Sequence, residues 1–241
     1  MVIWAAGVGH IGASPESLSI ETSGVLALRD CIRVLPAERA ERLTVLFASS
    51  AGALFGGHGD AEVLESSSPR PVTAYGREKL HQEALLSDLA SETGCRVVAC
   101  RISNLFGLAR GRLTARGLIA TAVRSTRLRQ PMSIYVSQDT RRDYIYNADA
   151  AAVALRLGSV QDSGFTTALV QDGVTRTVSE VLALVGRVSG RRVPATYAER
   201  PETRLQPRVL RFTRPVPGAD QVRRTPMEAA IHLMLRAPLS V

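Results

Sequence analysis

Lysine is nearly missing from this chain: 29 of its 30 basic side chains are arginine, and the one lysine is Lys79. Other shortages exclude whole classes of protein. Three cysteines, Cys31, Cys95 and Cys100, lack metal-ligand spacing and are too few for a disulfide framework, so a reducing, cytoplasmic setting is expected. Four scattered histidines (His10, His58, His81, His232) form no metal-binding pattern. No apolar run reaches the roughly 18 residues of a membrane span. Near the start, no basic stretch precedes an apolar one and Glu16 and Glu21 interrupt it, so neither a signal peptide nor a membrane partner is expected. Aromatic residues make up only 5% and do not interleave with basic ones, which argues against nucleic acid as a partner. Internal repeats and low-complexity tracts are lacking too.

What is present is a globular composition, 45% hydrophobic and 22% charged over 241 residues, enough for one domain or one domain with a lobe. The formal charge of +8 is unevenly spread. Residues 1–95 hold 7 basic and 12 acidic side chains, whereas residues 96–241 hold 23 basic and 10 acidic. Arginine bias in base composition accounts for part of this; the rest fits a C-terminal part that meets phosphate, since guanidinium forks onto phosphate oxygens.

Along the chain, residues 2–6 (Val-Ile-Trp-Ala-Ala) read as a buried strand. Gly7-Val-Gly-His-Ile-Gly12 then matches G-x-G-x-x-G, but the fingerprint must open a helix, and here Pro15 places the helix start later, near Ser14 or Ser17. A helix over about 17–34 leads to a strand at Leu43–Ala48, a small-residue turn at 49–57, and a polar loop to Pro71. The next helix opens at Ala74-Tyr75-Gly76-Arg77-Glu78-Lys79 and runs to about Glu92. Tyr75 and Lys79, four apart, share one face of it. An ammonium beside a phenol favours the phenolate, which would make Tyr75 a usable general base near neutral pH. Ammonium is compact where guanidinium is planar and broad, so the exception in a lysine-poor chain marks a position that needs a point charge.

With these residues in view, the chain resembles the extended short-chain dehydrogenase/reductases of the nucleotide-sugar epimerase/dehydratase family. Residues 2–7 resemble the family's fourth strand and Phe47–Gly56 its fifth strand with the catalytic serine. Tyr75 and Lys79 fall on its tyrosine and lysine; Arg101-Ile-Ser-Asn104-Leu-Phe-Gly107 resembles its R-x-x-N-x-[YF]-G turn, and Arg142–Asp149 its R-D-[FY]-I-x-V-x-D segment. The resemblance implies an α/β fold: a Rossmann-like doubly wound parallel sheet lacking the family's first βαβ units, with a smaller C-terminal substrate lobe. It places the dinucleotide-binding part at residues 1–107 with 148–171, and the lobe at 108–147 and 172–241. Helices at 148–158, 177–189 and 226–236 and a strand at 165–171 complete the reading, the last helix capped by Thr225 with Pro226 as its first residue.

The resemblance also implies roles. NAD or NADP is the implied cofactor, held by Ala5, Ala6, Gly7, Ser49, Tyr75 and Lys79. Ser50, Tyr75 and Lys79 form the implied catalytic set. The serine position falls on Ala51 when counted from Phe55 and on Ser50 when counted from Tyr75; Ser50 is preferred and Ser49 is the fallback. A nucleotide-diphosphate sugar is the implied substrate, contacted by Asn104, Tyr135, Arg142 and Arg200, with Arg204 as an alternative to the last. Family dehydratases carry Asp-Glu after the serine; Ala51-Gly52 stands here, so epimerase or reductase is preferred to dehydratase, and a non-catalytic binding protein is the alternative. The family's asparagine early in the helix after strand four is not evident around Glu21-Thr22-Ser23-Gly24. The assembly is open between a monomer and a homodimer. Because family members begin with a strand–Gly-rich turn–helix that is not in this sequence, the 241-residue chain by itself is expected to bind dinucleotide weakly. Calorimetric titration showing low-micromolar NAD affinity would overturn that expectation.

Overall fold

The computed structural model describes residues 1–7, 10, 12–58, 63, 67–160, 164–198, 209–210 and 221–240. Its centre is a four-stranded parallel sheet in the order β1-β2-β3-β7, built from β1 (Val2–Trp4), β2 (Thr44–Ser50), β3 (Arg96–Ile102) and β7 (Phe165–Val170). β2 and β3 are almost wholly buried, as near-continuous apolar strands of a parallel sheet covered on both faces should be. The period of two sorts their side chains. Val45, Phe47, Val97 and Ala99 pack with Val25, Ile32, Leu86 and Leu89 of helices α1 (Pro15–Arg33) and α4 (Ala74–Thr93). Leu46, Val98 and Cys100 face the other way, onto Val153 and Leu157 of α6 (Asn147–Val160). Helices on both faces make the sheet doubly wound, as expected.

The helices begin and end where their caps dictate. Ser14 caps α1, its hydroxyl accepting from Ser17 N, with Pro15 as the first helical residue. That start lies three residues beyond Gly12, so Gly7 and Gly12 precede the helix and do not open it. The buried strand expected at 2–6 ends at Trp4 and is not buried: as the edge of the sheet it leaves Ile3 exposed. α2 (Ala37–Glu41) follows α1 after Pro36. Thr73 caps α4 through Gly76 N at 3.0 Å, and Gly94 ends it at φ 69°, where a side chain would be strained.

The remaining elements pack as a second cluster. Here β4 (Asn104–Phe106) pairs parallel with β6 (Arg141–Tyr146), which pairs antiparallel with β8 (Thr175–Thr177). β5 (Met132–Ile134) pairs with β9 (Ala195–Tyr197). Their core is Ile119 and Val123 of α5 (Leu118–Leu128), Val181 and Val185 of α7 (Val178–Ser189), and Ile231 and Met234 of α8 (Met227–Arg236). A capping box, Thr177 with Glu180, starts α7. One expectation is corrected: Pro226 occupies the cap position of α8, and the Thr225 hydroxyl and amide both bond Asp149 instead, at 2.9 and 2.7 Å. The carboxylate of Asp149 accepts both bonds, tying the start of α6 to the start of α8. No helix among the described residues is long and apolar enough to cross a membrane.

Asp143 is the second staple between the two clusters. Buried in β6, it accepts from Ser103 Oγ at 2.5 Å and from the amides of Asp172 and Gly173 at 2.9 and 2.7 Å. Burial raises its pKa and these bonds, with Arg224, pull it back. Asp172 next to it is pushed up to about 6, first by burial and then by the Asp143 charge, against Arg224 and Arg176. A carboxyl with a raised folded-state pKa stabilises the fold fully below its ordinary value of 3.8, and that contribution is lost as pH rises through about 6. Asp172→Asn is therefore expected to gain about 1 kcal/mol at pH 7.5 and nothing at pH 4, the gain being held down by the water that reaches this half-buried carboxyl. Urea midpoints at the two pH values check it; equal gains at both would show that charge is not the cause.

Candidate active site

In open parallel sheets, ligands bind in the crevice beyond the carboxyl ends of the strands. The chemistry-bearing side chains of this chain gather there. β2 ends at Ser49-Ser50, and the period of two separates the pair. Ser49 shares the α4-facing side with Val45 and Phe47, and its buried hydroxyl donates to Glu83 of α4 at 2.6 Å. Ser50 faces the opposite way. It caps the short helix α3 (Ala51–Leu54) through Ala53 N and is hydrogen-bonded to Tyr75. Tyr75 reaches Ser50 because α4 passes tightly over α3: a Cβ on Gly76 would collide with the Ala53 carbonyl and would lie 2.9 Å from Pro71.

Lys79, one turn along α4, is buried. Its Nζ donates to Glu21 Oε1 at 2.6 Å, to the Ala48 carbonyl at 3.2 Å and to Gln82 Oε1 at 3.2 Å. The ammonium lies 4.8 Å from the Phe47 ring centroid and 6.0 Å from that of Tyr75. The expectation that Lys79 would draw the Tyr75 phenol toward neutral pH is not met. Burial raises the Tyr75 pKa, the Glu21 carboxylate raises it further, and only the Ser50 hydrogen bond opposes them. Gln82 donates to Thr22 at 2.8 Å, and Thr22 donates to Glu78, closing a polar seam between α1 and α4. Beneath it, Arg101 of β3 forks onto Glu83 at 3.2 and 2.7 Å.

Sequence reasoning missed Glu21, Gln82 and the Glu83–Arg101 pair. A signal existed: Leu18, Thr22 and Val25 repeat at helical spacing, which places Glu21 and Thr22 on the covered face of α1. Nothing local revealed that Lys79, 58 residues away, would meet it.

Two of the other expected residues lie around a cavity of about 310 Å³ on the lobe side. Asn104 and Arg142 line it, as do Tyr144 and Val136. Asn104 Nδ2 donates to the Asp143 carbonyl at 3.1 Å, and an Arg142 guanidinium nitrogen donates to the Arg141 carbonyl at 2.8 Å. Burial pushes the Tyr144 phenol up to about 12, with Arg142 opposing. Tyr135 is half-buried just after β5, next to Val136. Arg200 and Arg204 lie outside the described residues. Ala5, Ala6 and Gly7 follow β1 at the same end of the sheet as Ser50 and Tyr75, and a Cβ on Gly7 would come within 2.8 Å of the Glu21 carboxyl. A phenol, an ammonium and a side-chain-free backbone at this crevice fit the ribose end of a dinucleotide, although all three Lys79 hydrogens are already directed at protein acceptors.

A parallel sheet wound on both faces by helices defines the class: a Rossmann-like α/β protein. Within it, the chain belongs to the NAD dependent epimerase/dehydratase family, whose model matches residues 1–167. It is 33% identical over 172 residues to a UDP-glucose 4-epimerase of Azospirillum brasilense, covering 65% of this chain and 49% of that one. It is 30% identical over 105 residues to a dTDP-4-dehydro-6-deoxyglucose reductase of Escherichia coli, covering 44% and 33%. The chain thus spans half or less of these curated relatives. Among solved structures, the UDP-glucose 4-epimerase of Thermotoga maritima with UDP-glucose superposes with a TM-score of 0.79 at 19% identity, over 97% of this chain and 75% of that one; the likeness is one of fold.

Proposed function

We propose that this chain carries the catalytic and substrate-binding parts of an NAD(P)-dependent nucleotide-sugar epimerase, or of a closely related reductase. The observation that carries the reading is the convergence of Ser50, Tyr75 and Lys79 at the carboxyl end of β2. We take residues 1–107 with 148–171 as the cofactor half and 108–147 with 172–241 as the substrate half. Ala5, Ala6 and Gly7 would lie against the cofactor, Tyr75 and Lys79 would hold its ribose, and the Ser49 hydroxyl, already bound to Glu83, would contribute by fixing the strand end.

NAD(P), when bound, supplies the acceptor and donor of hydride at a sugar carbon. In its ionised form Tyr75 would take the proton from the hydroxyl on that carbon and return it after the sugar has turned over. Ser50, bonded to Tyr75, aligns the same hydroxyl. Asn104 and Arg142 line the cavity that would take the diphosphate, with Tyr135 toward the base and Arg200 as the proposed closing arginine. No carboxylate directly follows Ser50, so a water-eliminating reaction lacks the proton donor that an Asp-Glu pair at that place would supply.

The test is interconversion of UDP-glucose and UDP-galactose by the chain with NAD supplied in excess. Conversion that depends on Tyr75 supports the reading. Tight UDP-sugar binding without conversion would replace it with the second reading, a non-catalytic nucleotide-sugar binder, which the occupation of Lys79 by Glu21 favours.

A further inference from the structure

Among the described residues Glu21 is the one carboxylate in direct ion-pair contact with Lys79, and the pair is out of water: the two side chains are 3% and 7% exposed at a separation of 2.6 Å. Its position is over-determined. The buried face of α1 carries it, Gly7 leaves room directly over its carboxyl group, and the Gln82–Thr22–Glu78 chain clamps α1 to α4 beside it. An ammonium acts on a neighbouring phenol through its field, and a carboxylate bonded to that ammonium cancels most of the field.

We propose that Glu21 is a positioning residue that raises the proton affinity of Tyr75: by taking up the charge of Lys79 it withholds from the phenol the field that would draw it toward ionisation, so that the resting site presents a hydrogen-bond donor. The proposal rests on reading Tyr75 as the acid–base group of the site. Among the described residues, the groups that act on Tyr75 are Glu21 from α1, Lys79 from α4 and the Ser50 hydroxyl from β2. Glu83 and Arg101 lie farther along and neutralise each other. Glu78 is engaged by Thr22. Glu21 is accordingly the charge whose removal leaves Lys79 uncompensated. The raised Tyr75 pKa agrees in direction.

The experiment is an NMR titration of protein labelled with carbon-13 at the tyrosine ring Cζ, with Tyr75 assigned from the signal lost in Tyr75→Phe. In the wild type, Tyr75 should be less than half ionised at pH 10, the ordinary midpoint of the group. Glu21→Gln should lower the midpoint by about one pH unit or more, a tenfold rise in acidity. Thr22→Val, which cuts the α1–α4 seam but removes no charge, should leave the midpoint in place. A wild-type midpoint at or below 10 overturns the proposal even if Glu21→Gln does not fold. So does a Glu21→Gln midpoint that stays put, or a Thr22→Val shift as large as that of Glu21→Gln. The titration needs no substrate, so failure of the epimerase reading in the turnover assay leaves it readable, and the two failures are distinct.

Discussion

Under the proposed function, Tyr75→Phe is expected to lower nucleotide-sugar turnover by about 10²- to 10⁴-fold, the worth of a positioned acid–base group. The change removes one oxygen and leaves the ring, which packs at the start of α4, in place. Lys79 keeps its three acceptors, none of which is Tyr75, so the α1–α4 seam is not disturbed. Ser50 keeps its bond to Ala53 N. The loss should therefore fall on kcat and not on KM, because the cavity at Asn104 and Arg142 is untouched. Measured as UDP-sugar interconversion with NAD in excess, a variant within about threefold of the wild type would remove Tyr75 from the reaction, since a lost proton-transfer group costs far more than that.

The second large effect is on stability. Arg101→Met is expected to destabilise the chain by about 3–5 kcal/mol, because it strands Glu83 as an uncompensated buried charge. The side chains of Arg101 and Glu83 are 10% and 4% exposed, and the guanidinium makes two bonds to the carboxylate. For a chain of this length that corresponds to a fall in Tm of about 10 °C. Exchanging both partners, Arg101→Met with Glu83→Leu, should recover much of the loss, since no buried charge is then left unpaired and the cost that remains is the Ser49 hydroxyl's lost acceptor. Thermal unfolding of the single and double variants decides it: a double variant as unstable as the single would mean that the pair itself, and not the stranded charge, carries the energy.

Much of the candidate site was legible locally. A tyrosine and a lysine four apart on a capped helix announce a shared face, and the scarcity of lysine singles out Lys79. The order of strands and helices follows from runs such as Val45–Ala48 and Val97–Cys100, whose apolar continuity fits a sheet covered on both sides. The choice between Ser49 and Ser50 was not legible, because it turns on which face of β2 meets α4, and a shift of one residue exchanges the faces. Asp143 and Asp149 stood out in their motif, yet nothing local shows that one holds the 172–173 turn and the other the start of α8.

The sequence by itself determined the α/β order, the pairing of Tyr75 with Lys79 along one helix, and the family resemblance, because each depends on residues within a few positions of one another. Tertiary structure alone decided what Lys79 bonds to. Glu21 reaches it across 58 residues, through the packing of α1 on α4, and in that low-dielectric seam burial first and the Glu21 carboxylate second raise the tyrosine's proton affinity.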